Sequence, residues 1–235
     1  MKKLIFTIFC TLLISQSFAH ALWIETAPLG KKGQKHELKI YYGEYATNER
    51  DSVGKWYSDV KEFTLWLTAP GKEKVKLETT AGLNFYSASF SPEADGIYTL
   101  TISHEAKDLG GTTKYEFLSS AVVSVGKAGS ATPDFASRLQ ILPAESKVYK
   151  QNAEVKLIAK QNGQPFANKA VSVFSPEGWT KELTTNEKGE ISVRPEWAGV
   201  YVVEVSNMEK KSGEHQGQSY TAAWQGATSS FIVAK

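Results

Sequence analysis

The chain has 235 residues, 41% hydrophobic, with 27 Lys and Arg against 25 Asp and Glu, a net charge of +2 and one cysteine. Without Lys2 and Lys3 the cations fall to 25 and match the carboxylates; with no basic block or basic helix, nucleic acid and anionic membrane are poor partners. The single cysteine, Cys10, excludes an internal disulfide.

The chain opens MKKLIFTIFCTLLISQSFA. Lys2 and Lys3 precede a mostly apolar run, Leu4 to Ile14, and Ser17-Phe18-Ala19 is a small-x-small cleavage site, so 1–19 reads as a signal peptide and the mature protein as periplasmic. The run is too short for a stable bilayer span, and no later segment approaches that length. Cys10 lies inside the signal, so the mature chain has no thiol and no Cys-based metal site.

Beyond the signal, runs rich in Val, Ile, Thr, Tyr, Phe and Trp alternate with Gly, Pro, Asn and Asp turns, and no segment sustains an apolar period of 3.6. Strands are predicted at 22–26, 36–42, 63–68, 75–79, 85–90, 97–103 and 115–125, with a helical turn at 55–61. Gly126–Pro133, GKAGSATP, has no large apolar residue and reads as a linker, set at 127–135 between the domains. A second set of strands is predicted at 139–142, 153–160, 170–174, 181–184, 191–193, 200–206 and 220–233. Asn162-Gly163 is a two-residue hairpin signal.

The halves resemble each other. Pro92-Glu93-Ala94-Asp95-Gly96-Ile97-Tyr98 matches Pro195-Glu196-Trp197-Ala198-Gly199-Val200-Tyr201 without a gap, and Leu67-Thr68-Ala69-Pro70-Gly71 is similar to Phe174-Ser175-Pro176-Glu177-Gly178 at nearly the same offset. The expected fold is all-β: two tandem immunoglobulin-like or carboxypeptidase-regulatory-like β-sandwiches, 20–126 and 136–235, behind a cleaved signal peptide.

Four histidines survive cleavage after Ala19. That cut makes His20 the first residue, and its α-amine and imidazole together chelate a transition metal; imidazole suits Zn, Cu, Fe and Ni. A cut after Ala21, also small-x-small, would remove His20. His104 continues the face of Tyr98, Leu100 and Ile102 to the rim of the sandwich, next to a polar, Gly-rich loop. With His20 it would make three nitrogen donors, an arrangement that favours Cu(II) or Ni(II). His36 reads as a strand-edge residue and His215 as a loop histidine. Tyr41-Tyr42-Gly43-Glu44-Tyr45, followed by Glu49, Asp51, Trp56, Tyr57 and Asp59, has the look of a binding loop, although Trp56 and Tyr57 serve equally as a cover over the end of the sandwich. No Gly-x-Ser-x-Gly elbow, His-Glu-x-x-His, phosphate-cradling loop or dinucleotide fingerprint occurs, and an enzyme is not the expectation.

Ala19-His20-Ala21-Leu22-Trp23-Ile24-Glu25 resembles the opening of exported proteins in domain-of-unknown-function family 4198, related to periplasmic components of nickel and cobalt uptake. Leu139–Pro143, Asn162–Val171 and Thr184–Gly189 resemble its second, sandwich domain. The resemblance implies metal handling outside the cytoplasmic membrane, with Ni or Co favoured, Cu a further candidate and a membrane metal transporter as partner. The family's opening histidine carries over to His20, and a histidine after the first-domain strand to His104. The expected function is therefore accessory to metal uptake. The alternative is a non-catalytic structural or interaction module with no metal site.

Overall fold

The computed structural model describes residues 20–126 and 137–235, so the predicted signal peptide and linker lie outside the described residues. Within them the protein is all-β. The first half carries β1 (Ala21–Thr26), β2 (Leu29–Gly30), β3 (His36–Gly43), β4 (Leu65–Thr68), β5 (Val75–Leu77), β6 (Thr80–Ala81), β7 (Tyr86–Phe90), β8 (Gly96–Glu105) and β9 (Thr113–Val125). The second carries β10 (Leu139–Pro143), β11 (Tyr149–Lys150), β12 (Val155–Gln161), β13 (Gln164–Pro165), β14 (Ala170–Phe174), β15 (Thr180–Thr184), β16 (Glu190–Val193), β17 (Gly199–Glu209), β18 (Gly213–His215), β19 (Gln218–Tyr220) and β20 (Ala222–Ala234). Alternation drives these elements: in β3, His36, Leu38 and Ile40 are buried while Glu37 and Lys39 are exposed. The predicted turn at 55–61 is instead two 3-10 turns, Val53–Lys55 and Val60–Glu62, because Ser58 between them has a positive φ of 52°.

Each half repeats one strand arrangement. A small sheet runs β1-β3-β7 in the first half and β10-β12-β16 in the second; the larger run is β5-β4-β8-β9 in the first and β15-β14-β17-β20 in the second. The repeated sequence motif has a structural reason. Tyr98 Oη accepts from the amides of Glu93 and Ala94, and Tyr201 Oη accepts from that of Trp197, closing the same corner. Gly96 and Gly199 sit at φ of 139° and 138°, and a Cβ there would come within 2.4 Å of Pro70 and 2.8 Å of Pro176 respectively. The Pro and Gly of the two matched segments therefore pack on each other in both halves.

The sequence describes two separate sandwiches; the structure joins their larger sheets into one of ten strands. The two last strands, β9 and β20, run parallel in register from Thr113↔Ala222 to Ser119↔Thr228, so neither leaves an open edge there. Phe117, Ala121 and Val123 of β9 enter the first half's core, whereas Leu118 enters the second's, so the two small sheets cover opposite faces of the shared sheet. Hydroxyls on β9 and β20 then capture strand β1. The Ile24 amide donates to Ser119 Oγ (3.1 Å), Thr228 Oγ1 donates to the Leu22 carbonyl (2.6 Å) and Ser230 Oγ to the Ile24 carbonyl (2.7 Å). Trp23, with no exposed surface, joins Tyr45 and Val202 in a third apolar cluster that bridges the halves. Strand β1, which His20 immediately precedes, is thus held by both halves.

Candidate metal centre

Strand β1 pairs antiparallel with β3 in the register Ala21↔Gly43, which places His20 opposite Glu44, one step beyond the ladder. There the chain doubles back on itself. Gly43 has φ of 150°, and a Cβ on it would lie 2.6 Å from the Glu49 carbonyl oxygen, so only glycine allows the return. The 3-10 turn Tyr45–Thr47 ends at Asn48 in the left-handed region, after which the Glu49 amide bonds to the Glu44 carbonyl and the Asp51 amide to the Tyr42 carbonyl, both at 2.9 Å. Trp56 Nε1 donates to the Asp51 carbonyl at 3.1 Å and pins the far side. This fold-back brings Glu49 and Asp51 to His20.

The imidazole of His20 and the carboxylates of Glu49 and Asp51 offer three ligand atoms that all lie within 4.8 Å of one another. His20 Nε2 is 3.5 Å from Asp51 Oδ2, and its ring packs 5.5 Å from Tyr42. The nearest cation in sequence, Arg50, is turned away. Its guanidinium lies over the rings of Trp23, Tyr41 and Tyr45 at 5.2–5.5 Å and reaches Glu25 at 3.5 Å. Among the described residues no Lys or Arg pairs with Glu44, Glu49 or Asp51. Glu44 itself is 7% exposed. Burial raises its pKa, the Ala46 amide and His20 pull it back, and Glu49 adds to the rise. One imidazole and two carboxylates, with no Lys or Arg paired to them among the described residues, are groups that could hold a divalent cation.

The other histidines are occupied elsewhere. His104, on the expected face at the end of β8, bonds through Nε2 to Asp59 Oδ1 at 3.0 Å. Asp59 also accepts the Lys107 amide at 2.8 Å. Burial would raise the Asp59 pKa, but the His104 and Lys107 hydrogen bonds outweigh it and hold the carboxyl below its ordinary value. The structure does not group His104 with His20. The only group of three or more candidate ligands among the described residues is His20, Glu49 and Asp51. His36 is buried, bonded to Thr26 Oγ1 (2.8 Å) and set against Phe90; burial lowers its pKa, so it is a neutral packing residue. His215 bonds the Ala106 carbonyl (2.9 Å) and ties the β18–β19 hairpin to the first half. Trp56 and Tyr57 pack on the first core as a cover.

Sequence reasoning places Glu49 and Asp51 in a loop of binding character but does not pair them with His20. The available signal was Gly43, a glycine ending an apolar strand two residues before a turn, which marks a tight return.

A search of curated proteins finds none that matches. A family model described as "Domain of unknown function (DUF4198)" matches residues 17–209, more than half of the chain and all of the loop just described. The chain belongs to that family.

Proposed function

We propose that the protein is an exported, non-catalytic carrier of a divalent transition metal, with His20, Glu49 and Asp51 as ligands and Ni(II) or Co(II) the favoured ion. Cu(II) is a further candidate. The observation that supports this most is the convergence of three donors within 4.8 Å while the adjacent Arg50 faces the opposite way. If the signal peptide is cut after Ala19, the α-amine of His20 adds a donor at the same residue. We read the repeated strand order as two copies of an immunoglobulin-like sandwich, with the second copy buttressing the site through Tyr45, whose hydroxyl donates to the Val200 carbonyl. A metal site in the periplasm, in a chain with no long apolar helix among its described residues, fits delivery to a membrane transporter. His104 has no donor role in this reading.

The test is mass spectrometry of the mature N-terminus, followed by titration with Ni(II), Co(II) and Cu(II). His20→Ala and Asp51→Asn each weaken binding at least about tenfold, the scale on which coordination-sphere changes act; His104→Ala leaves it unchanged. A mature chain beginning at Leu22, or a wild type that binds no better than a surface histidine, overturns the proposal in favour of a structural or interaction module.

A further inference from the structure

We propose that the cleft around Arg138 is a binding site for a small zwitterion of the α-amino-acid class. The site goes beyond the metal-binding reading and shares no residue with it. Arg138 and Asn162 stand at the open end of β10 and β12, one step past the register Leu139↔Gln161, where the Asn162 amide bonds to the Arg138 carbonyl at 2.7 Å. Beside them lies a cavity of about 240 Å³, smaller than the about 300–1,000 Å³ of sites for drug-sized ligands. Both halves supply its walls, Lys114 from the start of β9 and Glu209 from the end of β17.

The back of the cleft is fixed. Glu116 is buried and accepts from Ser103 Oγ at 2.8 Å, Arg138 Nη2 at 2.7 Å and Gln225 Nε2 at 2.6 Å. Lys114 Nζ meets Glu105 Oε2 at 2.9 Å. Arg138 reaches both Glu116 and Glu105 through Nη2, so its Nη1 and Nε have no acceptor among the described residues. A guanidinium anchored by a buried carboxylate has less freedom to lose when its remaining N–H groups bind an oxyanion.

Charge selects the ligand. Lys114, Arg138 and Lys211 line the cavity together with Glu105, Glu116 and Glu209, so its walls are neutral in sum. A simple anion or a simple cation there meets as much repulsion as attraction. Lys114 and Arg138 are paired with Glu105 and Glu116. Lys211 pairs with no carboxylate among the described residues, and Glu209 is bonded only to the neutral amide of Asn207, at 2.8 Å. The cavity therefore presents one spare cation, one spare carboxylate and the open guanidinium nitrogens. A ligand with a carboxylate for Lys211 and Arg138 and an ammonium for Glu209 satisfies all three. The rings of Trp224 and Tyr220, also in the walls, are left for its side chain.

The mature full chain, held in chelator because amino acids bind metal ions themselves, is melted in the presence of the common L-amino acids. Each is tested singly at about 10 mM, where even a millimolar ligand stabilises measurably. We expect at least one to raise the melting temperature and to titrate by calorimetry to a single site. Its methyl ester and its N-acetyl form should each bind at least about fivefold more weakly, the scale of a charge-assisted hydrogen bond. Lys211→Ala and Glu209→Gln, on exposed side chains, should melt like wild type without ligand and lose affinity by at least about the same factor. His20→Ala should bind the amino acid as wild type does. If no amino acid raises the melting temperature, the proposal is overturned. An N-acetyl form that binds as tightly as its parent, with Glu209→Gln unaffected, makes this an anion site and overturns it as well. Binding that survives both Lys211→Ala and Glu209→Gln lies elsewhere, and binding lost in His20→Ala belongs to the metal centre; either result removes the site at Arg138.

Discussion

The two halves begin their first strands alike and finish that end of the sandwich differently. In the second half the register Leu139↔Gln161 repeats Ala21↔Gly43, so Arg138 and Asn162 occupy the places of His20 and Glu44. There the chain turns at once through Asn162 and Gly163, both at positive φ, and Arg138 closes on Glu116 (2.7 Å) and Glu105 (3.4 Å). In the first half an extended loop with three 3-10 turns replaces the tight hairpin, and it delivers carboxylates rather than a cation. One scaffold end is charge-complete and the other lacks positive charge. The difference lies in loop length and in one exchange, His for Arg, and not in the strands.

The largest effect expected from this contrast is at Gly43. Alanine there meets the Glu49 carbonyl at 2.6 Å in a backbone conformation that side chains rarely adopt. Gly43→Ala should cost about 2–4 kcal/mol in urea unfolding and abolish metal binding, since strain and displacement of the return loop add. Gln161→Ala, at the matching place in the second half, should change stability by no more than about 0.5 kcal/mol. Equal costs at the two positions would show that the fold-back at Gly43 is not the distinguishing feature.

Next in size is Arg138. The Glu116 side chain it pairs with is only 5% exposed, so Arg138→Ala leaves a buried carboxylate on two neutral donors. The exposure of Arg138 itself lets water replace part of the contact, and the expected loss is about 1–3 kcal/mol, read from the urea midpoint. His20→Ala in metal-free protein should stay within about 0.5 kcal/mol of wild type, because there the missing charge belongs to an absent ion. A large metal-free loss at His20 would make its pairing with Asp51 structural.

The strands were legible because their signals are local. Period-two burial in β3 and β17, the Asn162-Gly163 turn and the repeated Pro, Gly and Tyr segments each act within a few residues. The shared sheet was not legible: the parallel pairing of β9 with β20 joins residues about a hundred positions apart, and hydroxyl-rich strands such as Ser119-Ser120 and Thr228-Ser229-Ser230 read equally well as solvent-facing. They turn out to hold β1 and one another. For the candidate site, His20 and the carboxylate loop were each visible, but not their meeting, because that depends on the φ of Gly43. His104 stood out for its position on an apolar face; its partner Asp59 lies 45 residues away and carries no sequence mark of the pairing.

The smallest expected effect concerns that pair and sharpens the same comparison. Counting from Tyr98 and Tyr201, His104 corresponds to Asn207, which donates to Glu209 Oε1 at 2.8 Å. The first half uses an imidazole on a carboxylate where the second uses a neutral amide. The Asp59 carboxyl is held below its ordinary value of 3.8 in the folded protein. The unfolded chain therefore binds the proton more readily, and the contribution of Asp59 is complete above that ordinary value and lost as pH falls through the folded one. Asp59→Asn should cost about 1 kcal/mol at neutral pH, as a partly exposed pair allows, and the wild-type and variant unfolding curves should converge as the pH falls below 3.8. Glu209→Gln, on an exposed strand end with a neutral partner, should alter stability by less than about 0.5 kcal/mol. A Glu209 effect as large as that of Asp59 would mean that the two strand ends are stabilised alike, and that the histidine at 104 adds nothing an amide does not.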